Sequence, residues 1–245
     1  MDKALKSVLE WWETTGVDVP EIKSTPRSVR AKKDVPQNNP EPAPNPAKSA
    51  RSIELAQSAK TLDELREIMR NFDAGEISDH ARQMVFSRGN PKADIMVIGE
   101  APGREEDIQG KPFVGPAGKL LDRIFGSIGL NEDSIYITNV VNWRPPKNRN
   151  PNTEELLLCK PFLQRHMELI DPNIIVLVGG ISFQALTDLS GIMKNRGQWT
   201  TLSVNGKDIP TLPIYHPAFL LKQPALKKDS WRDMLSLKTR IAELF

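Results

Sequence analysis

The stretch Asp94-Ile95-Met96-Val97-Ile98-Gly99-Glu100-Ala101-Pro102-Gly103 decides the fold. Its first half is a short unbroken apolar run, which suits a strand covered on both faces. Its second half is a Gly/Pro-rich turn with a carboxylate set at the carboxyl end of that strand. Downstream, 119–129 places Leu120, Leu121, Ile124 and Ile128 on one side of a helix. Residues 134–141 (SIYITNVV) read as a second strand. A long helix over 153–170 is opened by Thr153, with Glu154 and Glu155 in its first turn. A third strand over 173–179 and a helix over 182–189 follow. Two extended segments, 199–204 and 207–213, flank an Asn205-Gly206 turn, and a last helix spans 229–243. Upstream, Thr61–Asp63 followed by Leu62, Leu65, Ile68 and Met69 reads as a capped helix. Strand and helix in alternation predict an α/β fold: a three-layer α/β/α sandwich around a short, mainly parallel sheet. Ligands of such sheets bind at the carboxyl ends of the strands. Glu100 follows the first strand, Asn139 closes the second, and His216 follows the last.

This domain is expected over 51–245. Ahead of it, 1–19 reads as an amphipathic N-terminal helix, with Leu5, Val8, Leu9 and Trp12 on one stripe. Residues 20–50 read as a flexible linker, with prolines at 20, 26, 36, 40, 42, 44 and 46 and no aromatic residue. Six basic against three acidic side chains give this segment a net charge of +3. The helix is a candidate contact for a protein partner, the linker a weak arm for the DNA backbone or a plain tether. The chain as a whole carries 33 basic and 31 acidic residues, a formal charge of +2, which neither announces nor excludes a nucleic-acid binder. One cysteine, Cys159, excludes an intrachain disulfide framework. With no secretory leader and no apolar run of membrane-spanning length, a cytoplasmic monomer without membrane contact is expected.

Neither GxxxxGK[ST] nor GxGxxG occurs, so the turn after the first strand is no nucleotide-triphosphate or dinucleotide loop. Phe113 lies between Pro112 and Gly115, in a loop beside a polar strand end, where an aromatic ring can stack on a flat ligand. The segment Arg144-Pro145-Pro146-Lys147-Asn148-Arg149-Asn150-Pro151 is stiff and basic. It suits phosphate contacts through Arg144, Lys147, Asn148 and Arg149, or serves as a connector. After His216-Pro217, Leu220 and Leu221 form an apolar tip, suited to wedging into a base stack or to packing on the last helix. His166 sits among Gln164, Arg165 and Glu168 and is expected in solvent; His80 has no motif around it.

Three motifs, GEAPGREEDIQGKPFVGPAGKLLDRI from Gly99, YITNVVNWRPPKNRNP from Tyr136 and HPAFLL from His216, resemble the family-4 branch of the uracil-DNA glycosylases in order and spacing. The resemblance covers about residues 51–245. It implies a monofunctional hydrolase that cuts the N-glycosidic bond of uracil in DNA and leaves an abasic site. It also implies roles by position: Glu100 as the acidic group at the glycosidic bond and Phe113 as the floor under the flipped base. Asn139 is implied as the amide that reads uracil, His216 as the histidine near O2, and Glu106 as a further acidic group of the catalytic set. Ala101 falls in the uracil pocket where better-studied glycosylases carry an aspartate base. The lack of a histidine in KNRNP argues against a relative that becomes covalently trapped on DNA. A non-catalytic damage-binding module is the rival from another class, and the joint presence of Glu100, Asn139 and His216 argues against it.

The same resemblance implies a [4Fe–4S] cluster on four cysteines, and here the sequence departs from it. The stretch Asn71–His80 contains no cysteine, Trp143 stands before Arg144-Pro145-Pro146, and only Cys159 remains. Cluster ligation needs about four thiolates, so no metal or other cofactor is expected. Trp143, with apolar partners from 61–86, is expected to fill the vacated volume.

Overall fold

The computed structural model describes residues 46–244. The N-terminal helix and most of the proline-rich segment lie outside them. Three helices come first: α1 (Pro46–Ser58), α2 (Leu62–Arg70) and the short α3 (Glu76–His80). Then come β1 (Arg88–Gly89), β2 (Ile95–Gly99), α4 (Arg104–Gln109), α5 (Pro116–Gly126) and β3 (Ile135–Asn139). A 3-10 turn at Pro146–Asn148 leads into α6 (Thr153–Ile170), β4 (Ile174–Val178), α7 (Gly180–Thr187) and α8 (Ile192–Asn195). The hairpin β5 (Thr200–Val204) and β6 (Lys207–Ile214), α9 (Pro217–Lys222) and α10 (Lys227–Leu244) close the chain. Helix α1 starts ahead of Arg51, so residues 46–50 belong to a helix and not to the expected linker.

The strands form one six-stranded sheet in the order β1-β3-β2-β4-β6-β5. Its four central strands are parallel, and β1 and β5 pair antiparallel at the edges. Successive side chains of a strand point to opposite faces, and β2 shows it. Met96 and Ile98 join one buried cluster with residues of α1, α2 and α6; Ile95 and Val97 join a second with residues of α5 and α10. Helices therefore cover both faces, and the chain has the α/β architecture with a mostly parallel sheet that its strand-helix alternation predicts.

The long helix is capped by Asn152, one residue before Thr153. The Asn152 side chain accepts from the Glu155 N–H at 2.8 Å, and Glu155 in turn accepts from the Asn152 N–H at 2.8 Å. His166, expected in solvent, is buried: its Nε2 lies 2.8 Å from the Tyr136 hydroxyl, and its ring stacks on Phe86 at 4.4 Å. Burial pushes its pKa down to about 3. Of the two leucines read as a tip suited to wedging or to packing, Leu220 is fully buried in the core on the helix 217–222, and only Leu221 is exposed. No helix among the described residues is long and apolar enough to cross a membrane.

Candidate active site

Strands β3, β2, β4 and β6 end on one edge of the sheet, and there Asn139 and the segments that follow β2, β3 and β6 line a cavity of about 480 Å³. In the β2/β3 register Gly99 faces Asn139, so the last residue of one strand and the amide of the other share a rung. The Val140 N–H donates to Gly99 O and the Val141 N–H to Glu100 O, both at 3.0 Å, which carries the parallel pairing one step into the loops. Glu100, Asn139, Phe113 and His216 all line this cavity. Asn139 is 2% exposed, and its side-chain amide makes no hydrogen bond within the described residues. Asn139 lines the cavity, so both its donor and its acceptor are available to a ligand. Glu100 likewise has a carboxylate with no hydrogen bond from the described residues, and desolvation holds its pKa above the usual glutamate value.

His216 caps α9, its Nδ1 accepting from the Ala218 N–H at 3.2 Å. A ring nitrogen that accepts carries no proton, so the neutral imidazole bears its hydrogen on Nε2. Burial brings the pKa down to about 4, with Glu106 opposing more weakly, so the ring is neutral near pH 7. Gly179, at the end of β4, has φ +96°, and a Cβ there would come within 3.0 Å of the His216 side chain. Glycine at this position lets β4 close behind the histidine.

Phe113 is held in a left-handed conformation, φ 54°, which typically costs a bulky residue about 1–3 kcal/mol. Two charged side chains offset that strain. Glu106 accepts from the N–H groups of Val114 and Gly115, both at 2.9 Å, and of Gly103 at 3.1 Å. Arg88 donates from Nε to Pro112 O at 2.9 Å and from Nη2 to Phe113 O at 3.3 Å, while pairing with Asp122. The ring packs over Gly99, where a Cβ would stand 2.5 Å from it, and lies 5.8 Å from the His216 ring. The edge thus presents an aromatic face, an unpaired amide and an imidazole N–H around one space.

Of the remaining sequence-derived residues, Ala101, Asn148 and Arg149 line the cavity, and so does Lys222 from α9. Arg149 is gripped by Glu155 through two contacts of 2.8 and 2.6 Å, which fixes its guanidinium at the rim. Arg144 turns aside: its Nε donates to Asn148 Oδ1 at 2.7 Å, and Nη1 lies 3.7 Å from Asp107. Lys147 is exposed beyond the cavity lining. Arg88 and Lys222 escape sequence reasoning as site residues. Lys222 could be placed by its position at the end of the short helix that His216 caps, whereas nothing local distinguishes Arg88.

The profile of the uracil DNA glycosylase superfamily matches residues 86–235. The chain belongs to that superfamily. Within it, the chain is 40% identical over 187 residues to a type-4 uracil-DNA glycosylase of Saccharolobus solfataricus, covering 74% of this chain and 87% of that protein. A type-4 uracil-DNA glycosylase of Archaeoglobus fulgidus is 44% identical over 146 residues, 58% of this chain and 73% of that protein. One from Thermotoga maritima is 36% identical over 171 residues, 66% of this chain and 86% of that protein.

The residues present do not fit the iron–sulfur cluster that the family resemblance implies. The sequence holds one cysteine, and burial pushes the Cys159 thiol up to about 12, far from the thiolate that ligation needs. Around it, Trp143 packs in one buried cluster with Leu65, Met69 and Phe72. The Phe72 ring lies 6.5 Å from Trp143 and 4.9 Å from Phe162. Close-packed apolar side chains thus stand where the resemblance implies metal ligands, as the sequence predicts for Trp143.

Proposed function

We propose that this protein hydrolyses the N-glycosidic bond of uracil in DNA, leaving an abasic site, with the cavity at the sheet edge as its base pocket. The observation that carries the reading is the unpartnered Asn139 amide beside the Phe113 face and opposite a neutral His216. Uracil presents an acceptor at O4 and a donor at N3, and one amide complements both. Cytosine reverses that pattern and leaves buried groups unpaired, typically at about 1–3 kcal/mol each. A base inside a duplex cannot reach such a cavity, so the nucleotide is extruded first. Phe113 receives the flat face of the base.

Cleavage leaves negative charge on uracil O2 and positive charge on the sugar. The Nε2–H of His216 donates a hydrogen bond to O2 as that charge develops, and the neutral ring does so without changing its protonation state. Glu100, ionised, faces the sugar side, where it orients a water and stabilises the cation. Ala101 offers no acid or base group, which leaves Glu100 as the carboxylate for this step. Glu106 acts through the Phe113 loop, as a positioning residue. Arg149, Asn148, Lys147 and Lys222 meet phosphates at the rim, and exposed Leu221 rather than Leu220 fills the gap left by the base. Release of free uracil from an end-labelled oligonucleotide, followed by strand scission at the abasic site with alkali, tests the reading. Wild type should release uracil and Asn139→Asp should do so far more slowly; wild type that binds uracil-containing DNA but releases no base would leave only a damage-binding module.

A further inference from the structure

A second groove, about 640 Å³, lies beside the base pocket and takes no part in the chemistry above. Arg66 and Arg70, four residues apart on one face of α2, form one wall. Arg82 and Lys111, from two loops, stand on the others, and Phe86 and Trp143 close it from below. Arg66 sits 4.9 Å over the Phe86 ring, which fixes its guanidinium. Arg82 and Lys111 are exposed, and neither side chain makes an ion pair among the described residues; Arg82 meets Asp107 only through its backbone N–H, at 2.8 Å. Arg66 and Arg70 pair only with Asp63 and Glu67, at 3.4 and 2.7 Å, and those carboxylates are 90% and 56% exposed. Exposed pairs of this kind are worth about 1 kcal/mol or less, so they yield readily to a phosphate.

Two short segments connect this groove to the base pocket. Lys111 lines the groove and Phe113 the pocket; Trp143 backs the groove and Pro145 lines the pocket. Two residues of chain span at most about 7 Å, so the openings are neighbours. The four cations come from one helix and two separate loops, which fits a row of phosphates better than a single small anion. The aromatic rings beneath are buried, so the groove offers charge along a backbone and no stacking surface for a base.

We propose that this groove holds the phosphates of the DNA strand flanking the extruded nucleotide, and so extends the DNA footprint beyond the rim at Arg149 and Lys222. The proposal rests on the uracil-excision reading of the neighbouring pocket, but its test does not depend on catalysis. Binding of a uracil-free fluorescent oligonucleotide is measured by anisotropy across a range of salt concentrations. Each phosphate neutralised contributes about 0.7 to the slope of log K against log salt for single strands and about 0.9 for duplex. Replacing both unpaired cations, Arg82→Ala with Lys111→Ala, should make the slope shallower by about 1.4 to 1.8. The control pair Lys238→Ala with Arg240→Ala, on α10 away from both openings, should leave it unchanged. The charge reversal Arg82→Glu with Lys111→Glu should weaken binding further. Unchanged slopes in both groove variants, with the fold verified by circular dichroism, would overturn the proposal. A protein that shows the slope change yet releases no uracil would sink the excision reading and leave the groove standing.

Discussion

Lowering the pH from 7 to 5 should destabilise this protein through His166, a histidine far from the chemistry. Its ring is 1% exposed, stacked on Phe86 and hydrogen-bonded to Tyr136, and its pKa falls from 6.5 to about 3. The folded state therefore keeps the ring neutral at pH 5 while the unfolded chain protonates it. A depressed histidine pKa means that the unfolded state binds more protons, so stability falls as the pH drops below about 6.5 and levels off only near 3. Between 6.5 and 5 the penalty is about 1.5 pH units at 1.36 kcal/mol each, or roughly 2 kcal/mol. Against a typical domain stability of about 5–15 kcal/mol, that is readily measured. Urea unfolding of wild type and His166→Gln at pH 7 and pH 5, with m values compared, isolates the effect, since every carboxylate contributes equally to both proteins. The variant should be weaker at pH 7, because it loses the Phe86 stack, yet its loss on going to pH 5 should be smaller by roughly 2 kcal/mol. Identical pH dependence in the two proteins would refute the buried, neutral assignment.

Three predictions concern the site itself. Glu100→Gln should lower single-turnover excision by about 10²–10³; the acid-side fall in activity, set by a carboxyl whose pKa burial raises, should vanish from the residual rate. Asn139→Asp should cut uracil release sharply and admit some cytosine, read by product analysis on paired oligonucleotides; full uracil activity with cytosine still rejected would remove Asn139 from base recognition. Arg88→Ala frees the carbonyls of Pro112 and Phe113, so the strained loop should relax and excision fall by about tenfold or more, a loss of about 1.4 kcal/mol. Arg88→Lys should restore little of it, because one ammonium cannot reproduce the fork.

The central strands were legible because a strand buried on both faces writes itself as a short continuous apolar run, as Ile95–Gly99 and Ile174–Val178 do. The gathering of Glu100, Phe113, Asn139 and His216 was legible through their motifs, which mark strand ends. His166 reads as solvated because its neighbours in sequence are polar, although its neighbours on the helix are not. Phe162 and Ile170, four residues to either side, are buried with it. Leu220 and Leu221 read as one tip only along a loop: a Pro at the first helical position after a capping His216 starts a helix, and on a helix the two face different ways. Arg88 gave no local sign at all. Its role exists only through carbonyls twenty-four and twenty-five residues downstream.

The parallel sheet also has a bearing on how the protein comes into being. Glu100 and Asn139 are neighbours across β2 and β3, but His216 arrives on the far side of β4, after β6 has docked. Each parallel pairing closes a long loop before any contact rewards it, which makes such topologies slow to form. The pocket is therefore among the last things the nascent chain completes. A chain that has docked three of its four central strands but not β6 lacks His216 at the pocket, so such a half-formed molecule is not a glycosylase of loosened specificity but simply silent.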